Sequence, residues 1–173
     1  YRSVVARVRQ ELETLLSDDF LDKTAKQFGL GLRSNQTRAY VVANLAGGTG
    51  GGIFVDLAYI LRQELRQFGY RKLETVGMLL VPPPDKSMPR KALANTYAAL
   101  AELNHYATGE QYKTRFDTAE SPIVDGATPF DRTAILQLPK KIRPRDQHKI
   151  AGSAARVLFL EFFTPVGKAA DYI

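Results

Sequence analysis

Residues 39–52 read AYVVANLAGGTGGG, and this stretch decides the fold. Residues 39–45 are β-prone and almost entirely apolar, which predicts a strand of a parallel sheet with both of its faces covered. Residues 47–52 then contain five of the chain's 13 glycines. Residues 53–68 have the apolar spacing of a helix, and Gly69 is suited to ending it. The local order is therefore strand, glycine-rich turn, helix.

The glycine-rich turn is the strongest chemical signal in the chain. Glycine tolerates positive φ and lets a ligand approach the main chain without meeting a Cβ. Successive N–H groups can then surround an anion, and the start of the following helix adds donors and partial positive charge. Thr49 contributes a hydroxyl. A turn without a ligand needs only one or two glycines, so the composition favours phosphate binding.

Two common phosphate loops do not fit this turn. No Gly-Lys-Ser/Thr follows, which excludes a Walker A loop. The spacing of Gly47 and Gly50 does not match G-x-G-x-x-G, and the next strand ends in Val81-Pro82 rather than in an acidic residue. A dinucleotide-binding loop is therefore excluded as well.

Apolar periodicity predicts three further helices or helical regions and two further strands: helices at 2–28 (with a break near 17–19), 88–106 and 150–163, and strands at 73–81 and 133–138. Residues 107–132 are polar with little periodicity, and a lid, a binding loop or an unrecognised element all remain open there. The order predicts an α/β fold, a three-layer Rossmann-like parallel sheet with helices on both faces. We expect one domain over residues 1–173, truncated because its strands are few.

Composition excludes several classes of site. The chain has 173 residues and no cysteine, which rules out disulfides, thiol nucleophiles and cysteine-ligated metals. Its two histidines lack metal-ligand spacing, so no metal site is predicted. No apolar run is long enough to span a membrane. Lys and Arg total 24 against 18 Asp and Glu, and the resulting net charge of +6 suits anionic partners in general.

Residues 44–52, NLAGGTGGG, resemble the glycine-rich phosphate loop of the tubulin and FtsZ superfamily, whose signature reads G-G-G-T-G-[ST]-G. Ala46 stands at the first glycine and Gly51 at the Ser or Thr of that signature. The segment PRKALANTYAAL at 89–100 is similar to the family's helix after a proline loop. Residues 150–173 resemble its long central helix and the loop that follows.

The resemblance implies a GTP-binding protein that forms filaments and hydrolyses GTP with help from a neighbouring subunit. It assigns the nucleotide phosphates to Ala46, Gly47, Gly48, Thr49, Gly50, Gly51 and Gly52. It places Asn44, Arg90, Asn95 and Gln137 beside the nucleotide. It puts the hydrolysis-promoting carboxylate, acting on the neighbour, at Asp171.

The implied cofactors are GTP or GDP with Mg²⁺, and the implied partners are further copies of the chain and an N-terminal part of the same domain. The resemblance also implies a cytoplasmic location. Because the family's N-terminal half of the nucleotide site has no counterpart in residues 1–173, we expect hydrolysis by this chain alone to be absent or very weak.

Two alternatives remain open. The chain could be a non-catalytic scaffold of the same fold that binds acidic partners, with nucleic acid compatible but not favoured, through a basic segment of Lys140, Lys141, Arg143, Arg145 and Lys149. It could also be an unrelated α/β enzyme that uses the turn for another phosphorylated ligand. Asp56 is a candidate metal or water ligand, although an acid in the first helical turn is favoured there.

Overall fold

The computed structural model describes residues 2–28, 37–85, 88–116, 122–139 and 147–163. The elements in chain order are α1 (Arg2–Leu15), α2 (Asp18–Phe28), β1 (Thr37–Asn44), α3 (Gly48–Gln67), β2 (Leu73–Val81), α4 (Arg90–Ala107), β3 (Tyr112–Thr114), β4 (Ile123–Asp125), β5 (Arg132–Gln137) and α5 (Gln147–Phe163). The helices and the three long strands lie where the periodicity predicts them, within a few residues at their ends, apart from the start of α3.

Three parallel strands form the main sheet in the order β1-β2-β5. Asn44 is paired with Leu80, and Gln137 with Val81, so the carboxyl ends of all three strands lie at one edge. This arrangement confirms the α/β class with a parallel sheet flanked by helices. It also brings together the segments that follow β1, β2 and β5.

The central strand is β2, not β1, and only β2 is buried along nearly its whole length. In β1 burial alternates, with Val41 and Ala43 buried while Val42 is 46% exposed. The prediction that β1 is covered on both faces is therefore wrong. The physical reason is that β1 lies at the edge of the three-stranded sheet, and the uninterrupted apolar run could not distinguish an edge strand from a central one.

Helix α3 supplies most of the core on one face of the sheet. Its Phe54, Val55, Ala58 and Tyr59 pack with a cluster that includes Leu79. Phe130, from the loop before β5, lies across Gly77 of β2 so closely that a Cβ there would overlap its ring. Apolar burial by α3 thus fixes this helix against the sheet.

The two ends of α3 differ from each other in how well the sequence predicts them. The helix begins at Gly48, five residues before the predicted start at Ile53, because its first turn packs directly against the end of β1 and this tertiary contact overrides the low helix propensity of glycine. Its end matches the prediction at Gly69, which has φ +88°. There Gly69 N donates to Arg66 O and Tyr70 N to Leu65 O, as in a Schellman motif.

The segment between α4 and β5 contains a small antiparallel hairpin of β3 and β4. Tyr112 of β3 is buried and stacks on Tyr59 of α3, with ring centroids 3.9 Å apart. Tyr106, at the end of α4, meets both rings edge-on. An aromatic cluster therefore fastens this segment to α3, and the polar composition of residues 107–132 concealed it.

Helix α5 is held to the sheet by a chain of ion pairs. Arg132 of β5 bonds both Glu74 of β2 and Glu161 of α5, and Glu74 also pairs with Arg38 of β1. The apolar side chains of α5 are not all buried, since Leu160 is 39% exposed and Phe159 is 56% exposed.

No helix in the described ranges combines the length and the apolar character needed to cross a membrane.

Candidate functional site

The glycine-rich turn forms the N-terminus of a 20-residue helix. Gly47 is the N-cap, with φ −92° and ψ 149°, and no side chain forms a hydrogen bond as its cap. The first amides of a helix have no partner within the helix, so those of Gly48, Thr49 and Gly50 are directed away from α3. The turn follows β1 at the carboxyl edge of the sheet, where open α/β sheets bind ligands.

The glycines of the turn have two distinct structural roles. A Cβ at Gly50 would overlap Asn44 O, and one at Gly51 would lie 3.0 Å from Leu45 O, so these two positions allow α3 to approach the end of β1. A Cβ at Gly48 or Gly52 would meet nothing within 4 Å, and at Gly48 this leaves the main chain open to an approaching molecule. Because the turn is helical from Gly48, none of its glycines has positive φ, so what glycine contributes here is the missing Cβ.

A cavity of about 230 Å³ lies between the first turns of α3 and helix α4. Its lining consists of small residues, together with one amide and one carboxylate: Gly47, Gly48, Gly51, Gly52, Asn95, Ala98, Ala99 and Glu102. The open glycine faces therefore border a recess rather than packed protein. A phosphate group fits this combination of uncapped amides, bare main chain and space.

Two asparagine side chains hold Ala46, the residue between β1 and the turn. Asn44 Oδ1 accepts a hydrogen bond from Ala46 N at 3.0 Å, and Asn95 Nδ2 donates to Ala46 O at 3.0 Å. Asn95 is half-buried, whereas Asn44 is exposed at the end of β1. Two of the four residues predicted to flank the nucleotide thus contact the main chain of Ala46, directly before Gly47.

The other predicted residues are distributed along the same edge or lie outside the described part of the chain. Thr49 is exposed in the first turn of α3, Arg90 is exposed at the start of α4, and Gln137 is exposed at the end of β5. Asp171 and residues 140–146 of the basic segment lie outside the described residues. Lys149 lies within α5, and its side chain is likewise outside the described part.

Glu102 and a hydrogen-bonded Asp56 are features that sequence reasoning missed. Burial raises the pKa of Glu102, and the negative charge of Asp56 raises it further. Asp56 Oδ1 accepts a 2.6 Å hydrogen bond from the Tyr112 hydroxyl. The first-turn prediction for Asp56 is wrong, because a helix that begins at Gly48 places it in the third turn. The spacing of Asn95 and Glu102, seven residues apart on one helical face, is the signal that could have identified Glu102.

The described residues contain no group of three or more His, Cys, Asp or Glu side chains placed to hold a metal ion. Of the candidate carboxylates near the turn, only Glu102 lines the cavity. A divalent cation at this site would therefore depend on ligands that arrive with the phosphates, which is usual for Mg²⁺.

The family described as "Tubulin like" matches residues 1–172. No curated protein and no solved structure matches the chain at a significant level. The family match extends over nearly the whole sequence and agrees with the parallel α/β fold and with the glycine-rich turn at the sheet edge. The chain therefore belongs to the tubulin-like family.

Proposed function

We propose that this protein binds a guanine nucleotide, with its phosphates on the turn of residues 46–52, and assembles head to tail into filaments. The observation that carries the proposal is the uncapped start of α3, where Gly48 leaves bare main chain beside a cavity. Membership of the tubulin-like family supports the choice of GTP and of filament assembly over other phosphorylated ligands.

Phosphate oxygens would accept hydrogen bonds from the amides of Gly48, Thr49 and Gly50, and the helix dipole would add favourable electrostatics. The Thr49 hydroxyl is exposed beside these amides and can donate another bond. The Arg90 guanidinium, exposed at the start of α4, would contribute positive charge. Mg²⁺ would be coordinated by phosphate oxygens and water, with Thr49 as a protein oxygen at hand.

The remaining assignments come from the resemblance. Gln137, at the end of β5, would hydrogen-bond the base edge through its amide. Asp171 of one copy would promote hydrolysis at the nucleotide of the next, and such a head-to-tail contact repeats without closing, as a filament requires. Assembly, hydrolysis and a cytoplasmic location thus belong to one proposal.

The test is a pair of variants with the same substitution at two exposed glycines. In Gly48→Asp the new carboxylate would occupy open space in the first helical turn, where it is compatible with the helix dipole but repels phosphate. In Gly126→Asp, the control, the carboxylate would also meet nothing within 4 Å, in the loop after β4.

We expect saturating GTP to raise the melting temperature of the unmodified protein and of Gly126→Asp. At a ligand concentration of about 100 Kd the linked stabilisation is about 2.7 kcal/mol. Gly48→Asp should fold normally, and GTP should not raise its melting temperature. Stabilisation by ATP or a sugar phosphate but not by GTP would overturn the choice of a guanine nucleotide, and equal GTP stabilisation of Gly48→Asp would overturn the proposed phosphate site.

A further inference from the structure

We infer that Asn95 is a positioning residue, which sets the orientation of the phosphate-binding turn from helix α4 without touching the nucleotide. The inference deepens the proposed function and rests on it. Its basis is a contact between two elements that are 49 residues apart in sequence, in which Asn95 Nδ2 donates to the main-chain oxygen of Ala46 at 3.0 Å.

The geometry of the peptide group explains how this bond can orient the neighbouring amide. A trans peptide is planar, and its C=O and N–H point in opposite directions. When Asn95 holds the Ala46 carbonyl towards α4, it also fixes the direction of the Gly47 N–H in the same peptide. The Gly47 amide accordingly points back to Asn44 O, at 3.4 Å.

The same peptide chain is also restrained from the side of the sheet. Asn44 Oδ1 accepts from Ala46 N, so both main-chain polar groups of Ala46 are held by asparagine side chains. Immediately afterwards Gly47 O accepts from Gly51 N and begins the helical hydrogen bonds of α3. The direction of the first free amides of α3 therefore depends on how Ala46 is held.

The surroundings of Asn95 support a positioning role over a purely packing one. Ala99, one turn along α4, lies 3.5 Å from where a Cβ of Gly51 would stand, so α4 already packs against the turn through apolar atoms. The Asn95 amide adds a directional bond to that packing. Because Asn95 is half-buried and one of its two amide N–H groups is engaged by Ala46 O, the nucleotide would contact the turn that Asn95 holds.

The experiment compares Asn95→Ala and Asn95→Leu with Asn104→Ala, an exposed control in the same helix. Leu keeps the approximate shape of Asn without its donor, so agreement between the two variants excludes a cavity effect. The ligands are GTP, inorganic triphosphate and guanosine, with affinities measured by calorimetry or ligand-observed NMR. Melting curves verify that each variant folds.

We expect both Asn95 variants to bind GTP and inorganic triphosphate more weakly by a similar factor of about five to ten, which is the usual contribution of one neutral hydrogen bond. The affinity for guanosine should not change. Amide resonances of Gly47–Gly50 should shift in the ligand-free variants and stay in place in Asn104→Ala. A lower affinity for guanosine with an unchanged affinity for inorganic triphosphate would show that Asn95 contacts the nucleoside directly, and it would overturn the inference. Glycine amide resonances that do not shift in the ligand-free Asn95 variants would also overturn the inference. This result is independent of GTP binding, whereas a failure of the unmodified protein to bind GTP would overturn the proposed function.

Discussion

Gly50 and Gly52 stand two residues apart in α3 and meet different surroundings. A Cβ at Gly50 would overlap the carbonyl oxygen of Asn44, whereas one at Gly52 would find nothing within 4 Å. We expect Gly50→Ala to lower the free energy of unfolding by about 2–3 kcal/mol through overpacking. Gly52→Ala should raise it by about 0.5–1 kcal/mol, because alanine is the better helix former.

Urea denaturation of the two alanine variants measures this difference directly. The sign of the effect should reverse between the two positions. If Gly50→Ala is as stable as the unmodified protein, then α3 does not approach β1 as closely as described, and the geometry of the phosphate site would need revision.

Tyr59 is fully buried, and its hydroxyl donates to Ala127 O at 2.9 Å. Burial raises the pKa of Tyr59 to about 12, with the negative charge of Asp125 acting in the same direction and Arg62 opposing it. Between about pH 10 and 12 the unfolded chain therefore loses a proton that the folded chain retains, and stability falls as the pH rises through this window.

The difference in stability between the unmodified protein and Tyr59→Phe should therefore depend on pH. At pH 8 we expect the unmodified protein to be more stable by about 1 kcal/mol, the value of the lost hydrogen bond. At pH 11 that advantage should shrink by roughly 1 kcal/mol, because only the unmodified chain ionises at residue 59 on unfolding. Chemical denaturation at both pH values measures it, and a difference that does not vary with pH would contradict the raised pKa.

At the scale of elements, α3 connects the sheet, α4 and the hairpin, and Arg62 is its main polar tie. The Arg62 side chain is 5% exposed. Its guanidinium donates to Thr75 Oγ1 at 2.9 Å, to Thr128 O at 2.8 Å and to Pro129 O at 3.2 Å. It thereby joins α3 to β2 and to the loop that precedes β5.

We expect Arg62→Lys to lower the free energy of unfolding by about 2–4 kcal/mol. All three of these bonds come from Nη2, and the strongly hydrated lysine ammonium is costlier to bury and does not present its donors in the same geometry. The matched control is Arg66→Lys. Both arginines pair with Asp125, Arg62 at 3.5 Å and Arg66 at 3.0 Å, but the Arg66 side chain is 57% exposed. Its loss should stay below about 1 kcal/mol. Thermal and urea unfolding measure the stability of both variants. Equal losses of stability would show that the buried hydrogen bonds of Arg62 do not stabilise the fold more than an exposed ion pair does.

The element scale also shows where sequence patterns suffice. The 3.6-residue spacing in α1 and α4, and the apolar run of β2 before its prolines, located these elements because each pattern reflects local burial. The hairpin of β3 and β4 was not predicted, since its strands have three residues each and its stability comes from Tyr112 packing on Tyr59. Such a contact between residues 53 positions apart leaves no local pattern.

At the scale of the whole molecule, the proposed function predicts assembly that depends on GTP. With GTP above saturation, light scattering and pelleting should appear only above a threshold protein concentration, as for a head-to-tail polymer. Gly48→Asp should not assemble. Turnover by residues 1–173 alone should be absent or very weak above this threshold as well as below it, because the N-terminal half of the nucleotide site has no counterpart in them.

Asp171→Ala separates binding from hydrolysis when the same assay is run on the chain together with the N-terminal part of its domain. If Asp171 acts on the neighbouring subunit, this variant should bind GTP with unchanged affinity and assemble, but with slower turnover. Full turnover by isolated subunits, or turnover that is unaffected by Asp171→Ala, would contradict hydrolysis completed by a neighbour.

The sequence by itself determined the α/β class, the strand–turn–helix unit at residues 39–68 and the family, because glycine composition and apolar periodicity are local properties of the chain. Tertiary structure alone decided that β1 is an edge strand, that α3 begins at Gly48, and that Asn95 donates to the main chain of Ala46. These features depend on which segments lie side by side in space. That arrangement results from burying apolar surface among residues distant in sequence, which no local pattern records.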